Sequence, residues 1–195
     1  MFIKCEKITP QEYKNNAKSI IVYYEFYNSL FGKFLLAVSQ KGICNLYFTS
    51  GNNEEFLITE LKRFWPYSSI EKKRQCTEKY AYEINSYFNS PKNIKSRIFL
   101  KGTPFQSKVW EALLQIPYGS SVSYKDVSLL IGMPNSSRAV ANAIGKNPTA
   151  VIIPCHRVIR KSGHLGGYRW GLELKSTLIN WEREQTEKKD SSFAT

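Results

Sequence analysis

Histidine is almost missing from this chain: only His156 and His164 occur in 195 residues. Any histidine-dependent chemistry is therefore confined to the C-terminal end. The four cysteines, Cys5, Cys44, Cys76 and Cys155, form no CxxC pair, which removes the usual zinc-ribbon and dithiol signatures. With no histidine near them, Cys5, Cys44 and Cys76 read as buried or idle thiols rather than metal ligands. Nothing at the N-terminus resembles a signal peptide with its small-residue cleavage site. No apolar run approaches the roughly 20 residues that would span a bilayer. These absences predict a soluble cytosolic protein with reduced thiols and no membrane partner. Internal repeats are absent as well.

What the chain has in excess is positive charge. It carries 28 Lys and Arg against 16 Asp and Glu, for a formal net charge of +12 and a pI near 9.5. Such a balance steers a protein toward a polyanion, most often nucleic acid. Lysines that merely solvate the surface are the alternative, and motifs must decide.

The first half reads as α/β. "SIIVYYEF" at 19–26, then "KFLLAV" and "ICNLYF" around the turn "SQKG", are rich in β-branched and aromatic residues and predict a small antiparallel meander. "EEFLITELKRFW", stopped by Pro66, and "EKYAYEINSYFN", stopped before Pro91, have helical apolar spacing. "SRIFL" is a candidate returning strand. Near Gly102 the texture changes. In "TPFQSKVWEALLQI", Thr103 is placed to cap, Pro104 sits at the first helical position, and Phe105, Val109, Trp110, Leu113 and Leu114 share a face. The expected organisation is an N-terminal α/β domain with a small antiparallel sheet over 1–100 and a mostly helical C-terminal domain over 101–187. Residues 188–195, without apolar periodicity, are expected to form a disordered tail.

"SVSYKDVSLLIGMPNSSRAVANAIGKNP" predicts two helices and a tight turn. Ser123 and Asp126 suit a capping box, and Val127, Leu130 and Ile131 form a candidate buried stripe. Gly132 and Pro134 end the first helix, and Asn135 or Ser136 can cap a second running to Gly145. The spacing fits a helix-turn-helix. After Arg138 the second helix offers Ala139, Ala141, Asn142, Ala143 and Gly145, too smooth for base readout in the major groove. Such a helix suits sequence-tolerant minor-groove binding; close packing of two protein helices on the alanines is the other reading.

"VIIPCHRVIR" at 151–160 reads as a buried strand ending in a proline break, a thiol, a histidine and an arginine. A nucleophilic Cys155 needs a base, and His156 is adjacent. Adjacent residues in extended chain point to opposite faces, but Pro154 offers a turn where that rule fails. Glu182, in "LINWERE", is a candidate to orient the histidine. A lone cysteine is more often a small buried hydrophobe. Here the Gly-rich "SGHLGGYRWG" follows, allowing a ligand to approach the backbone closely. His164 in that loop reads as a surface residue.

The sequence resembles the O6-alkylguanine-DNA alkyltransferases, the methylated-DNA–protein-cysteine methyltransferase family. The resemblance rests on "IPCHRV" at 153–158, "SYKDV" at 123–127, "SRAVANAIGKNP" at 137–148, "GYRWG" at 167–171 and the "KSTLINWE" helix ending at Glu182. Over the first hundred residues it extends to layout, with "FGKFLLAV" and "KGICNLYF" similar to the family's N-terminal hairpin. It implies a winged helix-turn-helix-like DNA-binding unit in the C-terminal domain. The implied activity is a single irreversible transfer of a methyl or alkyl group from O6-alkylguanine, and from O4-alkylthymine, in double-stranded DNA to Cys155. The target base is flipped out of the stack for this purpose.

The same resemblance implies roles for individual residues. Arg138 fills the gap in the duplex, and Tyr124 presses on the rotating phosphate and donates to the leaving guanine. Ser123, Ala139, Ala141, Asn142 and Gly145 share the DNA contact. Asn147 braces the turn at Cys155. His156, oriented by Glu182, takes the thiol proton through a water, and Arg157 holds the segment. Tyr168, Arg169, Trp170 and Val158 form the substrate pocket, with Trp170 narrowing it against benzyl-sized adducts. No cofactor is implied for the transfer, and the protein acts as a monomer. Some relatives bind zinc in the N-terminal domain through cysteines and histidines, and this chain has no histidine there.

Three rivals compete with this reading. A lesion sensor of the alkyltransferase-like kind lacks the cysteine that is present here. A Cys-His hydrolase would carry a protease-type nucleophile signature, which is missing. A plain helix-turn-helix regulator needs long polar side chains on its reading helix.

Overall fold

The computed structural model of the chain describes residues 4–49, 53–91 and 94–192. It divides into two compact units, one of Met1–Ser107 with Pro148–Ala150, the other of Lys108–Asn147 with Val151–Thr195.

The first unit is built on six strands: β1 (Cys5–Ile8), β2 (Ile21–Ser29), β3 (Gly32–Ser39), β4 (Gly42–Phe48), β5 (Ser69–Lys72) and β6 (Ile98–Lys101). They form one mixed sheet in the order β1-β6-β4-β3-β2-β5. The antiparallel β2-β3-β4 meander is the one its residue types predict. Parallel pairing of β1 and β4 with β6, and of β5 with β2, makes the sheet larger and more mixed than the small antiparallel one expected. The added strands β1 and β5 are four-residue pieces, CEKI and SIEK, too short and too polar to carry a periodic signal.

Strands β3 and β4 are buried almost throughout, so the sheet is covered on both faces. On one face Phe88 of α3 (Arg74–Asn89) packs against Phe34 and Phe48. On the other, Trp65 lies between α1 (Pro10–Asn16) and β6, edge-on to Tyr13 and stacked on Phe99 at 5.6 Å. Trp65 follows α2 (Glu54–Phe64), which stops before Pro66 as expected. Its Nε1–H donates to Asn45 Oδ1 at 2.6 Å, and Asn45 Nδ2 donates to Tyr47 Oη at 2.7 Å. The buried indole, amide and phenol of Trp65, Asn45 and Tyr47 thus form one hydrogen-bonded chain. Pro148–Ala150 joins the unit by pairing with β4: Leu46 N–H donates to Pro148 O, and Ala150 N–H donates to Leu46 O.

The second unit contains most of α4 (Pro104–Leu113), then β7 (Val122–Ser123), α5 (Tyr124–Leu130), α6 (Ser137–Gly145), β8 (Val158–Ile159) and α7 (Leu172–Ser192). Thr103 and Gln106 cap α4 reciprocally, and Ser123 and Asp126 do the same for α5. Trp110 of α4 donates Nε1–H to Ala143 O and so anchors α6. Helices α5 and α6 form the helix-turn-helix, and the parallel pair β7-β8 is its small wing.

Three expectations need correction. Leu130 is 54% exposed; the buried stripe is Val127 and Ser128 of α5 with Ile131 just past its end. Ser128 Oγ donates to Lys125 O at 2.7 Å and lies 3.3 Å from Ser137 Oγ, tying the two helices together. Residues 151–153 are buried but form turns, not a strand, because Val151 sits at φ +66° and interrupts extended chain. Helix α7 continues to Ser192, into the stretch predicted as disordered tail: Glu184, Gln185, Glu187 and Lys188 propagate a helix without an apolar face. Residues 193–195 of that tail lie outside the described residues.

Gly42 opens β4 at φ +130°, and a Cβ there would lie 2.3 Å from the Arg97 carbonyl oxygen. Gly42→Ala is expected to destabilise the sheet unit by about 3 kcal/mol. Denaturant unfolding followed by tryptophan fluorescence checks this; an unchanged midpoint would contradict the close approach.

Candidate active site

Pro154 turns the chain so that Cys155 and His156 do not alternate as they would in a strand. With φ −80° and ψ 59° it is the centre of an inverse γ-turn, closed by Cys155 N–H donating to Ile153 O at 2.7 Å. Cys155–Arg157 then form a single 3₁₀ turn. Asn147, following α6, holds both sides of the proline: its Nδ2 donates to Ile153 O at 2.8 Å and to Cys155 Sγ at 3.0 Å.

The 3₁₀ turn presents His156 and Arg157 to α7. Glu182 Oε1 accepts from His156 Nε2 and from Arg157 Nη2, each at 2.8 Å. Oε2 accepts from Arg157 Nε at 2.8 Å and from Gly119 N–H at 3.1 Å. Arg157 Nη1 donates to Ile116 O at 2.7 Å. Glu182, His156 and Arg157 are all buried. Gly119, at φ +76°, must be glycine on two counts, since a Cβ would also meet Thr186 Oγ1 at 2.5 Å.

Burial works to raise the Glu182 pKa, but the hydrogen bonds and charges of His156 and Arg157 outweigh it and hold the carboxyl at about 2. Glu182 is therefore a carboxylate with no proton to donate, so His156 Nε2 carries the hydrogen and Nδ1 the lone pair. Nδ1 is buried and has no hydrogen-bond partner among the described residues. Burial also lowers the His156 pKa, against the pull of Glu182, so the ring is neutral near pH 7. The result is a base with its acceptor nitrogen available.

Cys155 is not the low-pKa thiol that a nucleophile was expected to need. Burial pushes it up to about 11, and the Asn147 amide, Lys175 and Arg169 only partly offset that. At rest the sulfur is a protonated thiol.

Cys155 opens on a cavity of about 580 Å³ lined by Tyr124, Ala141, Asn142, Ile144, Gly145, Arg160, Gly166, Gly167, Tyr168, Arg169 and Trp170. Four of the residues assigned to DNA contact, Tyr124, Ala141, Asn142 and Gly145, thus border the same space as the thiol. Arg138 and Ala139 are exposed nearer the start of α6 and do not line it. The Ser123 hydroxyl is taken up in capping α5. Tyr168 and Trp170 meet edge-on at 5.1 Å and form one wall. Val158 does not line the cavity: it is fully buried in β8, paired with Val122, and its carbonyl accepts from Lys175. His164 lies on the surface beside Ser162.

Sequence reasoning missed Lys175 and Arg160. Lys175 is buried on the inner face of α7, and its Nζ donates to the carbonyls of Val158 (2.6 Å), Leu165 and Gly167, clamping the glycine loop. Burial lowers its pKa to about 8 although Cys155 works to raise it. Its signal was in the spacing: Lys175, Leu178, Ile179 and Glu182 make one helical stripe, so a lysine and a glutamate occupy apolar positions. Arg160 gave no pattern at all.

Comparison with known proteins places the chain in a family. The family model for the DNA-binding domain of 6-O-methylguanine DNA methyltransferase matches residues 104–184, and the model for its ribonuclease-like domain matches 22–98. The methylated-DNA–protein-cysteine methyltransferase of Methanosarcina barkeri is 38% identical over 162 residues, covering 83% of this chain and 97% of that protein. The regulatory protein Ada of Salmonella typhimurium is 34% identical over 181 residues, covering 92% of this chain and 51% of Ada, so the chain spans about half the length of that relative. The crystal structure of Mycobacterium tuberculosis OGT in complex with DNA has a TM-score of 0.67 at 32% identity, covering 84% of this chain and 94% of that one.

The thiol gives the first test. Capture of Cys155 by iodoacetamide, read by peptide mass spectrometry, is expected to accelerate about tenfold per pH unit from pH 7 past 9.5, with no levelling near the ordinary thiol value of roughly 8.5. Asn147→Ala, which removes a lowering contact, moves the curve further up. Acid gives the second. The depressed His156 and Glu182 values both stabilise the fold at neutral pH. The His156 share is lost as pH falls below about 6.5, and the Glu182 share, roughly 3 kcal/mol, between about pH 4.5 and 2. Thermal melts across this range should show both losses, and Glu182→Gln should abolish the lower one.

Proposed function

Since the chain belongs to the methylated-DNA–protein-cysteine methyltransferase family, we propose that it reverses O6-alkylguanine damage in double-stranded DNA by moving the alkyl group irreversibly to Cys155. O4-alkylthymine is a second substrate. The observation that carries this reading is a protonated thiol facing a nucleotide-sized cavity at the reading helix, beside a neutral histidine whose acceptor nitrogen is available.

The steps follow from the parts. Helix α6 enters the minor groove of the duplex with its smooth face, and the DNA complex of the M. tuberculosis relative supports DNA as the partner. A base inside the stack is out of reach, so the damaged nucleotide rotates into the cavity while Arg138 fills the space it leaves. Cys155 Sγ bonds to the alkyl carbon as the carbon–O6 bond breaks, and the electron pair departs on guanine. The thiol proton goes to His156 Nδ1 through a water, and the imidazolium so formed rests against the Glu182 carboxylate. Asn147 Nδ2 stabilises charge building on sulfur. Burial raises the Tyr124 pKa, and negative charge building on Cys155 works in the same direction, so its phenol keeps a proton to share with the departing base.

The product thioether is not readily reversed, so each molecule acts once, and the transfer needs no cofactor. Such a protein works as a monomer in the compartment that holds the genome, the cytoplasm or, in a eukaryotic host, the nucleus. Tyr168 and Trp170 leave little room for bulk.

Intact-protein and peptide mass spectrometry after mixing with duplex DNA bearing one O6-methylguanine tests the reading. One methyl per molecule is expected on the peptide that holds Cys155, with none on Cys155→Ala. Lesion binding without modification would overturn transfer in favour of a sensor. Benzyl transfer is expected to be at least tenfold slower than methyl, and Trp170→Gly to narrow the gap; equal wild-type rates would refute the tight wall.

A further inference from the structure

Much of the charge on this chain lies away from the reading helix. Residues 1–107 hold 16 Lys and Arg against 9 Glu and no Asp. Part of that excess gathers at a second cavity, of about 750 Å³, lying wholly within the sheet unit. It is bounded by the exposed face of α3, the β3-β4 turn at Gln40 and Lys41, and residues 95–97 leading into β6.

The exposed face of α3 follows helical spacing. Lys79, Tyr82, Glu83 and Ser86 point outward, while Thr77, Ala81, Ile84 and Phe88 pack on the sheet. Tyr82 is 78% exposed, far more than a tyrosine that serves the core. Lys79 Nζ sits 4.8 Å from the centroid of the neighbouring Tyr80 ring. Lys79, Lys95 and Arg97 are exposed and make no ion pair among the described residues. Lys41 differs, being paired with Glu6. Among the described residues Glu83 is the only carboxylate on the wall, and it is occupied. Its Oε1 accepts from the backbone N–H groups of Lys95 (2.5 Å) and Ser96 (3.2 Å), and Ser96 Oγ donates to its Oε2. It fixes the segment that displays two of the three unpaired cations.

We propose that this cavity is a second, non-catalytic nucleic-acid site that holds a single strand, with a base stacked on Tyr82 and backbone phosphates on Lys79, Lys95 and Arg97. Cations alone would suit any polyanion. The exposed ring decides between single and double strands, because an aromatic platform needs an unpaired base face, which a duplex withholds. Hydrolysis is not part of the assignment: among the described residues the wall has no histidine, and its one carboxylate is engaged. The site stands apart from alkyl transfer, so either can fail alone.

The test uses the full chain and a short oligothymidylate carrying a 5′-fluorophore and one bromodeoxyuridine. Crosslinking followed by trypsin should label the peptide Tyr80–Lys92, which begins after Lys79. Fluorescence anisotropy should show Tyr82→Ala weakening binding roughly fivefold or more. The triple change Lys79→Ala, Lys95→Ala, Arg97→Ala should lower the slope of log affinity against log salt by about 2, since each lost phosphate contact on a single strand is worth roughly 0.7. Far-UV circular dichroism verifies that the variants fold. Crosslinks confined to residues 108–195, or an unchanged affinity and slope, would overturn the site. Equal protection of the 80–92 peptide by a duplex of the same length would overturn its assignment to a single strand. Methyl transfer from a lesion duplex, measured on the same wild-type preparation, reports separately on the reading above.

Discussion

One buried carboxylate organises the reactive half of the molecule. Glu182 receives four N–H donors, from His156, twice from Arg157, and from the Gly119 backbone. An anion enclosed in this way is tolerable only because every lone-pair direction is used and a guanidinium supplies the opposite charge. The same bonds dictate chemistry at a distance. Because the carboxylate can only accept, His156 has one available tautomer, and its lone pair points away from Glu182. Removing the carboxylate would leave a buried arginine unpaired and the ring free to take the wrong tautomer. Stability and the tautomer of the histidine thus depend on one group.

The second constraint is backbone shape. Within eleven residues the chain leaves α6, pairs Pro148–Ala150 with β4, passes Val151 in the left-handed region, and turns at Pro154 into the 3₁₀ turn. A β-branched residue at positive φ costs of order 1–3 kcal/mol, and such strain persists only when neighbours over-determine it. Here the neighbours are identifiable: Leu46 holds one side, and Asn147 the other through Ile153 and the sulfur. The arrangement sets a buried thiol at the rim of a cavity without giving it charge.

The sequence was most readable where local chemistry acts alone. Capping residues marked the starts of α4 and α5, glycine and proline marked the end of α5, and the smooth character of α6 was visible in its composition. The triad was legible only in part. Spacing could nominate Glu182, but contact depends on α7 packing against the 3₁₀ turn, which no local pattern encodes. Tertiary context likewise defeated the strand reading of 151–153, where apolar residues signalled burial but not conformation. Val158 was misplaced for the same reason, since a one-residue change of facing decides between cavity wall and core. Lys175 was overlooked because a lysine in a helix defaults to solvent; only its register with Leu178, Ile179 and Glu182 marks it as internal.

A thiol pushed up to about 11 is a poor standing nucleophile, and this bears on what kind of agent the protein can be. An exposed thiolate would meet electrophiles and oxidants continually, and a protein that reacts once has no means of undoing such losses. On the proposed alkyl-transfer reading, burial keeps the sulfur protonated until a substrate fills the cavity, excludes water and brings the alkyl carbon into line. In that proposal, passing the proton to His156 coincides with bond formation. The desolvation that suppresses the thiolate also weakens the solvation that would compete with attack. On the alkyl-transfer reading, a raised pKa is what a single-use reagent requires: inert in storage, and activated by the geometry of its target.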